Sequence, residues 1–89
     1  MAEVGYAAKA VDDLVRLEDA SPGARSVISS AIMLLTAHPL IGRRAEHDLR
    51  ELVISRGKTG YVALYDFDEL PGRVVIHGVR HQREVGFEG

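Results

Sequence analysis

The chain has 89 residues, a net charge of −2 and no cysteine, and 46% of its residues are hydrophobic. This length suits a single domain over residues 1–89, and the hydrophobic fraction argues against disorder. The absence of cysteine excludes disulfides and thiolate metal sites. No apolar run is long enough to span a bilayer and no signal-peptide pattern is present, so we expect a cytoplasmic protein with no membrane contact.

The first half of the chain is predicted to be mainly helical. Apolar residues recur at three- and four-residue intervals in two stretches, which is typical of amphipathic helices. Ser21 and Pro22 suit the N-cap and first position of the second helix, and Pro39 disfavours helical geometry just before it. The second helix has an apolar stripe of Val27, Ala31, Leu34 and Leu35, widened by Ile28 and Ile32. The predicted elements are a strand over residues 2–6 and helices over 7–18 and 22–37.

The second half of the chain reads as three strands, over residues 49–54, 61–67 and 73–81. Gly- and Pro-containing turns separate them, and such short connections predict antiparallel pairing. Regular alternation along the last strand would place Val74, Ile76, Gly78 and Arg80 on one face, and Val75, His77, Val79 and His81 on the other. The predicted fold is a two-layer α+β domain, β-α-α-β-β-β, in which an N-terminal strand and a helical hairpin pack on a twisted antiparallel sheet.

Charge is distributed unevenly along the sequence. Acidic residues outnumber basic ones over residues 1–24, whereas residues 73–83 contain three arginines and no acid. Such asymmetry indicates a basic working face that could meet nucleic acid or an acidic partner. Ordinary solvated faces are the alternative.

The segment Arg80-His81-Gln82-Arg83 is the densest polar cluster that continues a buried strand. Arginine offers a rigid fork of donors to phosphate or carboxylate, and histidine exchanges a proton near neutral pH. Together they could assist cleavage of RNA by its own 2′-hydroxyl group. Strand alternation predicts that Arg80 and His81 point to opposite faces. The alternative is a solvated strand end.

A second candidate cluster consists of Arg56, Lys58 and Tyr61 around a Gly-containing turn. Its cations could hold a phosphate backbone, and the tyrosine could stack on a base. The alternative is a solvated turn beside a core tyrosine. The four histidines lie in separate predicted elements without paired ligand spacing, so neither a metal site nor any other cofactor is expected.

Four segments, in this order, resemble the RelE/ParE superfamily of bacterial type II toxin–antitoxin toxins, often called plasmid stabilisation proteins. The first, residues 7–14, is similar to the family's first helix, and His38-Pro39-Leu40-Ile41-Gly42-Arg43 to its helix exit. Residues 49–54 and 60–65 are similar to its central hairpin, and residues 75–84 to its last strand and tail. The resemblance implies two helices packed on a twisted antiparallel sheet, in agreement with the element order above.

The resemblance also implies a function and partners. A cognate antitoxin would neutralise the toxin. The expected assembly is a homodimer or a toxin–antitoxin hetero-oligomer. The family divides between ribosome-dependent mRNA endoribonucleases of the RelE type and DNA gyrase poisons of the ParE type. The RelE type implies catalytic roles for Arg80 and His81, and Arg56, Lys58, Tyr61 and Arg83 are expected to bind the target or RNA. The overall pattern is closer to ParE, so growth inhibition through gyrase is the favoured prediction, and a non-toxic binding module is a further alternative.

Overall fold

A computed structural model describes residues 1–54 and 60–82, and its order of elements confirms the predicted α+β class. Five strands form one open sheet in the order β1-β5-β4-β3-β2. No helix in these two ranges is long and apolar enough to cross a membrane. The elements are β1 (Glu3–Tyr6), α1 (Ala8–Ala20), α2 (Ala24–Ile32), β2 (Arg43–Arg44), β3 (Arg50–Ile54), β4 (Tyr61–Asp68) and β5 (Arg73–His81), with short 3₁₀ turns at Met33–Thr36 and Glu46–Asp48.

The sheet is mixed rather than wholly antiparallel. Strands β2, β3, β4 and β5 pair antiparallel with their neighbours, whereas β1 pairs parallel with the first half of β5. The short turns that predicted antiparallel pairing join only β3, β4 and β5, so they left the direction of β1 undetermined. The helical hairpin follows β1 and carries the chain over the sheet, which permits the parallel pairing.

The second helix begins two residues later than predicted, and Ser21 is not its N-cap. Gly23 occupies the N-cap position with a φ of 97°, a conformation that favours glycine. The carboxylate of Glu18 accepts hydrogen bonds from the backbone N–H groups of Gly23 and Arg25, at 3.1 and 2.9 Å. Both hydrogen bonds lower the pKa of Glu18, and the bond from the Arg25 N–H has the larger effect. An acid at the end of α1 therefore does the capping that the sequence pattern assigned to Ser21.

The hydrophobic core lies between the helical hairpin and one face of the sheet. Ile28, Ile32 and Leu35 of the second helical segment are fully buried, whereas Val27 and Leu34 are about half exposed, at 48% and 51%. The predicted apolar stripe is therefore rotated about the helix axis relative to the face that is buried. Ile28 and Ile32, which were expected only to widen the stripe, form the centre of the buried face. The sheet side of the core comprises Leu52, Ile54, Tyr61, Ala63, Tyr65, Val74, Ile76 and Val79.

Strand β5 contains a bulge that breaks the predicted alternation. Leu64 pairs with Gly78, but the next residue of β4, Tyr65, pairs with Ile76, so His77 is an extra residue on β5. A bulge reverses the alternation of side chains beyond it. As a result Ile76 and Val79 both reach the core, and the predicted division of this strand into two regular faces is wrong.

Candidate functional site

The sheet face that the helices do not cover holds a groove of about 510 Å³. Val62 and Leu64 of β4 form an apolar floor. Strand β5 forms one wall with His77, Gly78 and Arg80, and Lys9 of α1 adjoins that wall. The other wall comes from β3 and the segment before it, with Ala45, Glu46, His47, Leu49 and Glu51.

Side chains of opposite charge line the two walls of this groove. Lys9 and Arg80 stand on the β5 side, and Glu46 and Glu51 stand on the β3 side. Glu51 accepts a hydrogen bond from Arg43 Nε at 2.9 Å, whereas Arg80 is exposed and makes no hydrogen bond or ion pair with another described residue. The groove therefore combines an apolar floor with an exposed arginine.

The bulge in β5 turns His77 into the same groove as Arg80. In a regular strand, residues three apart point to opposite faces, so the extra residue is what brings these two together. His77 Nε2 lies 2.6 Å from Asp66 Oδ2 on β4, and both side chains are about 40% exposed. A carboxylate bonded to one ring nitrogen fixes the orientation of the imidazole.

Behind the β5 wall, α1 supplies a buried carboxylate. Asp13 is 7% exposed, and its Oδ2 accepts hydrogen bonds from Val79 N–H at 3.0 Å and from Lys9 Nζ at 2.9 Å. Arg16 Nη2 lies 3.6 Å from the other oxygen. Burial alone raises the pKa of Asp13, but these bonds and the two cations outweigh it and hold the pKa below its ordinary value. The group is therefore a carboxylate at neutral pH.

The structure separates the two residues to which a catalytic role was assigned. Arg80 lines the groove, whereas His81 contacts the ring of Tyr61 edge-to-face, with centroids 5.4 Å apart. They point to opposite faces, as strand alternation predicted. Tyr61 is only 5% exposed, so its ring belongs to the core rather than to a surface that could stack on a base. Arg56, Lys58 and Arg83 lie outside the described residues.

Sequence reasoning missed His77, Asp66 and Asp13 as site residues. The four-residue spacing of Lys9 and Asp13 on a predicted helix signals their ion pair but not its burial against β5. The contact between His77 and Asp66 depends on the register of β4 and β5, and the presence of Arg80 on the same face depends on the bulge, for which the sequence offers only Gly78 as a sign. Within residues 1–54 and 60–82, no group of three or more His, Asp or Glu side chains is placed to hold a metal ion.

The family model for the ParE toxin of type II toxin–antitoxin systems, parDE, matches residues 4–86. The chain belongs to this family. Toxin RelE3 of Caulobacter vibrioides is 38% identical over 71 residues, which span 80% of this chain and 75% of the relative. These matches confirm the resemblance to the RelE/ParE superfamily of toxins.

Two solved toxin–antitoxin complexes share the fold. The RelBE2 complex of Mycobacterium tuberculosis contains a chain of 26% identity with a TM-score of 0.71, and the match covers 91% of this chain and 98% of that one. The intact RelBE complex of E. coli gives a TM-score of 0.73 at 14% identity, with coverage of 93% and 99%. The second likeness is one of fold alone. RelE-type and ParE-type names thus occur side by side among the similar proteins.

Proposed function

We propose that this chain inhibits growth as the toxin of a type II pair and that it does so by poisoning DNA gyrase, with the groove as the surface that contacts the target. The observation that carries the proposal is the composition of the groove. Its floor is apolar, and Glu46 and Glu51 face Lys9 and Arg80 across it.

This composition suits a protein partner better than an RNA backbone. Affinity for nucleic acid comes mainly from cations that neutralise phosphates. Glu46 and Glu51 on the β3 wall would instead repel phosphates. Protein interfaces, in contrast, are commonly anchored by an arginine beside apolar surface, and Arg80 shares the groove with the partly exposed Leu64. Arg80 lines the groove whereas His81 contacts Tyr61, and this separation does not favour a joint catalytic role for the two residues.

The proposal is tested by inducing the chain in bacteria that carry a DNA-damage reporter. Wild type should stop growth and switch on the reporter, and Arg80→Ala should need at least tenfold more protein for the same effect. Arg73→Ala is the matched control, because Arg73 lies at the other end of β5, exposed and 3.7 Å from Glu3. Growth arrest without a reporter signal would contradict gyrase poisoning, and unaffected growth would favour the non-toxic binding module.

Ribosome-dependent mRNA cleavage is the second candidate, and one observation favours it. His77, oriented by Asp66, shares the groove with Arg80. His77 could take the proton of a 2′-hydroxyl as that oxygen bonds to phosphorus, and the 5′-oxygen would leave as a hydroxyl with a proton from water, while Arg80 balances the developing charge. If this is the activity, His77→Ala should abolish cleavage on translating ribosomes and His81→Ala should not. If mRNA on translating ribosomes stays intact in the presence of the wild-type chain, this candidate function is ruled out.

We also propose a cognate antitoxin as the neutralising partner. Both solved structures described above are toxin–antitoxin complexes. The helical hairpin exposes apolar side chains that a partner could cover, namely Val11, Val15, Val27 and Leu34. Co-expression with the product of a neighbouring gene should restore growth and give a complex that co-purifies. Failure of every neighbouring gene product to restore growth would contradict this part of the proposal.

A further inference from the structure

The contact between Asp13 and Val79 joins the helical layer to the groove wall. Strand β1 pairs only with residues 73–76 of β5, and the chain then leaves the sheet edge and enters α1. Beyond Ile76, no strand within the described residues pairs with that side of β5. The N–H of Val79 bonds to the carboxylate of Asp13, which occupies the place that a longer β1 would have taken.

Gly78 makes this approach possible. A Cβ atom at position 78 would lie 3.2 Å from Asp13 Oδ2 and 3.3 Å from Lys9 Nζ, which is tighter than ordinary contact. The absence of a side chain lets the carboxylate and its lysine partner lie directly against the strand at the bulge. Helix α1 and the bulged part of β5 therefore pack closely against each other at Gly78.

The bulge competes with a regular register. Without it, β5 beyond Ile76 would slip by one residue, Val79 would turn toward the groove, and Arg80 would turn toward the core. Two interactions oppose this slip, the complete burial of Val79 and the hydrogen bond that its N–H makes with Asp13. The second of these is a directional bond that specifies where the N–H must point.

We propose that Asp13 is a positioning residue for the groove, whose bond to Val79 N–H holds the bulge that turns Arg80 and His77 into the groove together. Asp13 itself stands behind the wall and touches no target. The use of growth inhibition as one readout rests on the proposed function. The local geometry is a property of the purified chain and is measured independently.

The test compares Asp13→Leu, which fills the space but accepts no bond, with Asp13→Asn, which keeps an oxygen acceptor and loses the charge. Asp12→Leu is the matched control, because Asp12 is the exposed neighbour on the same helix. For each purified full-length chain, NMR would follow the exchange rate of the Val79 amide and the Nε–H signal of Arg80. The amide of Ile28, in the middle of the core, reports whether the fold is intact.

We expect Asp13→Leu to speed exchange of the Val79 amide at least tenfold relative to that of Ile28, to shift the Arg80 signal, and to raise the amount of toxin needed for growth arrest at least tenfold. Asp13→Asn should stay within about threefold of wild type in each measurement, and Asp12→Leu within twofold. If Asp13→Leu does not fold, Gly78→Ala replaces it, and the same local changes should follow in weaker form.

An unchanged Arg80 signal and wild-type potency in a folded Asp13→Leu chain would overturn the inference. So would equal losses in Asp13→Asn and Asp13→Leu, because the bond to Val79 would then not be what matters. A wild-type chain that does not inhibit growth would contradict the proposed function instead, and the Val79 and Arg80 signals alone would then decide the role of Asp13.

Discussion

Asp13 and Tyr65 each use a side chain to bond backbone groups that are distant in the sequence. Asp13 holds Val79, and the hydroxyl of Tyr65 donates to Pro39 O and accepts from Gly42 N–H, both at 2.9 Å. These bonds fix two irregular segments, the bulge in β5 and the exit from the helical layer. A buried backbone group left without a partner costs about 1–3 kcal/mol, so single substitutions at this scale should be measurable.

The contribution of Asp13 to stability should depend on pH. Because its pKa is lowered in the folded state, the charged form stabilises the fold above the ordinary value of 3.8, and this contribution is lost as the pH falls through the lowered pKa. Urea unfolding should therefore show a larger gap in unfolding free energy between wild type and Asp13→Asn at pH 7 than at pH 3. Asp12→Asn serves as the control for net charge, and a gap that does not change with pH would contradict the account.

Replacement of Tyr65 by phenylalanine tests the second of these bonds. The ring stays, but Pro39 O and Gly42 N–H lose their partner, so the unfolding free energy should fall by about 1–3 kcal/mol. Tyr6→Phe is the matched control, since Tyr6 is 37% exposed on the edge strand β1. Equal stability of the two variants in urea titrations would show that the hydroxyl of Tyr65 is not needed to hold the helix exit.

At the scale of whole elements, α2 shows how a helix with apolar residues on two sides selects its buried face. Ile28 and Ile32 are completely buried, as is Leu35 in the 3₁₀ turn that follows, and Val27 lies on the exposed side. Ile28→Ala should lower the unfolding free energy by about 2–5 kcal/mol, whereas Val27→Ala should change it by less than about 0.5 kcal/mol. Comparable losses for the two variants would indicate that the helix is rotated relative to the arrangement described here.

Local patterns in the sequence predicted the order and type of the elements well, because helix periodicity, strand composition and turn residues are local signals. They failed where the local structure depends on a residue from another element. The N-cap of α2 comes from Glu18 across the interhelical turn, and the buried face of α2 is the one that joins the common core with the sheet. The bulge in β5 depends on Asp13, which is 66 residues away from Val79. The contact of His77 with Asp66 depends on the pairing register of β4 and β5, which local sequence patterns do not specify.

At the scale of the whole molecule, the helical layer and the sheet present two different surfaces. The hairpin exposes valine and leucine side chains, and the far side of the sheet presents a groove with opposite charges on its two walls. Under the proposed function the chain has two kinds of partner, an antitoxin and a target. The two surfaces allow these roles to be separated by mutation. Variants in the groove should lose toxicity but still bind the antitoxin.

The most direct test of the central claim is the supercoiling activity of purified DNA gyrase in the presence of the purified chain. We predict that wild type inhibits supercoiling, that Arg80→Ala requires at least tenfold more protein for the same inhibition, and that Arg73→Ala behaves as wild type. Supercoiling that proceeds unchanged at a large excess of a folded wild-type chain would contradict the proposal that this toxin acts on gyrase.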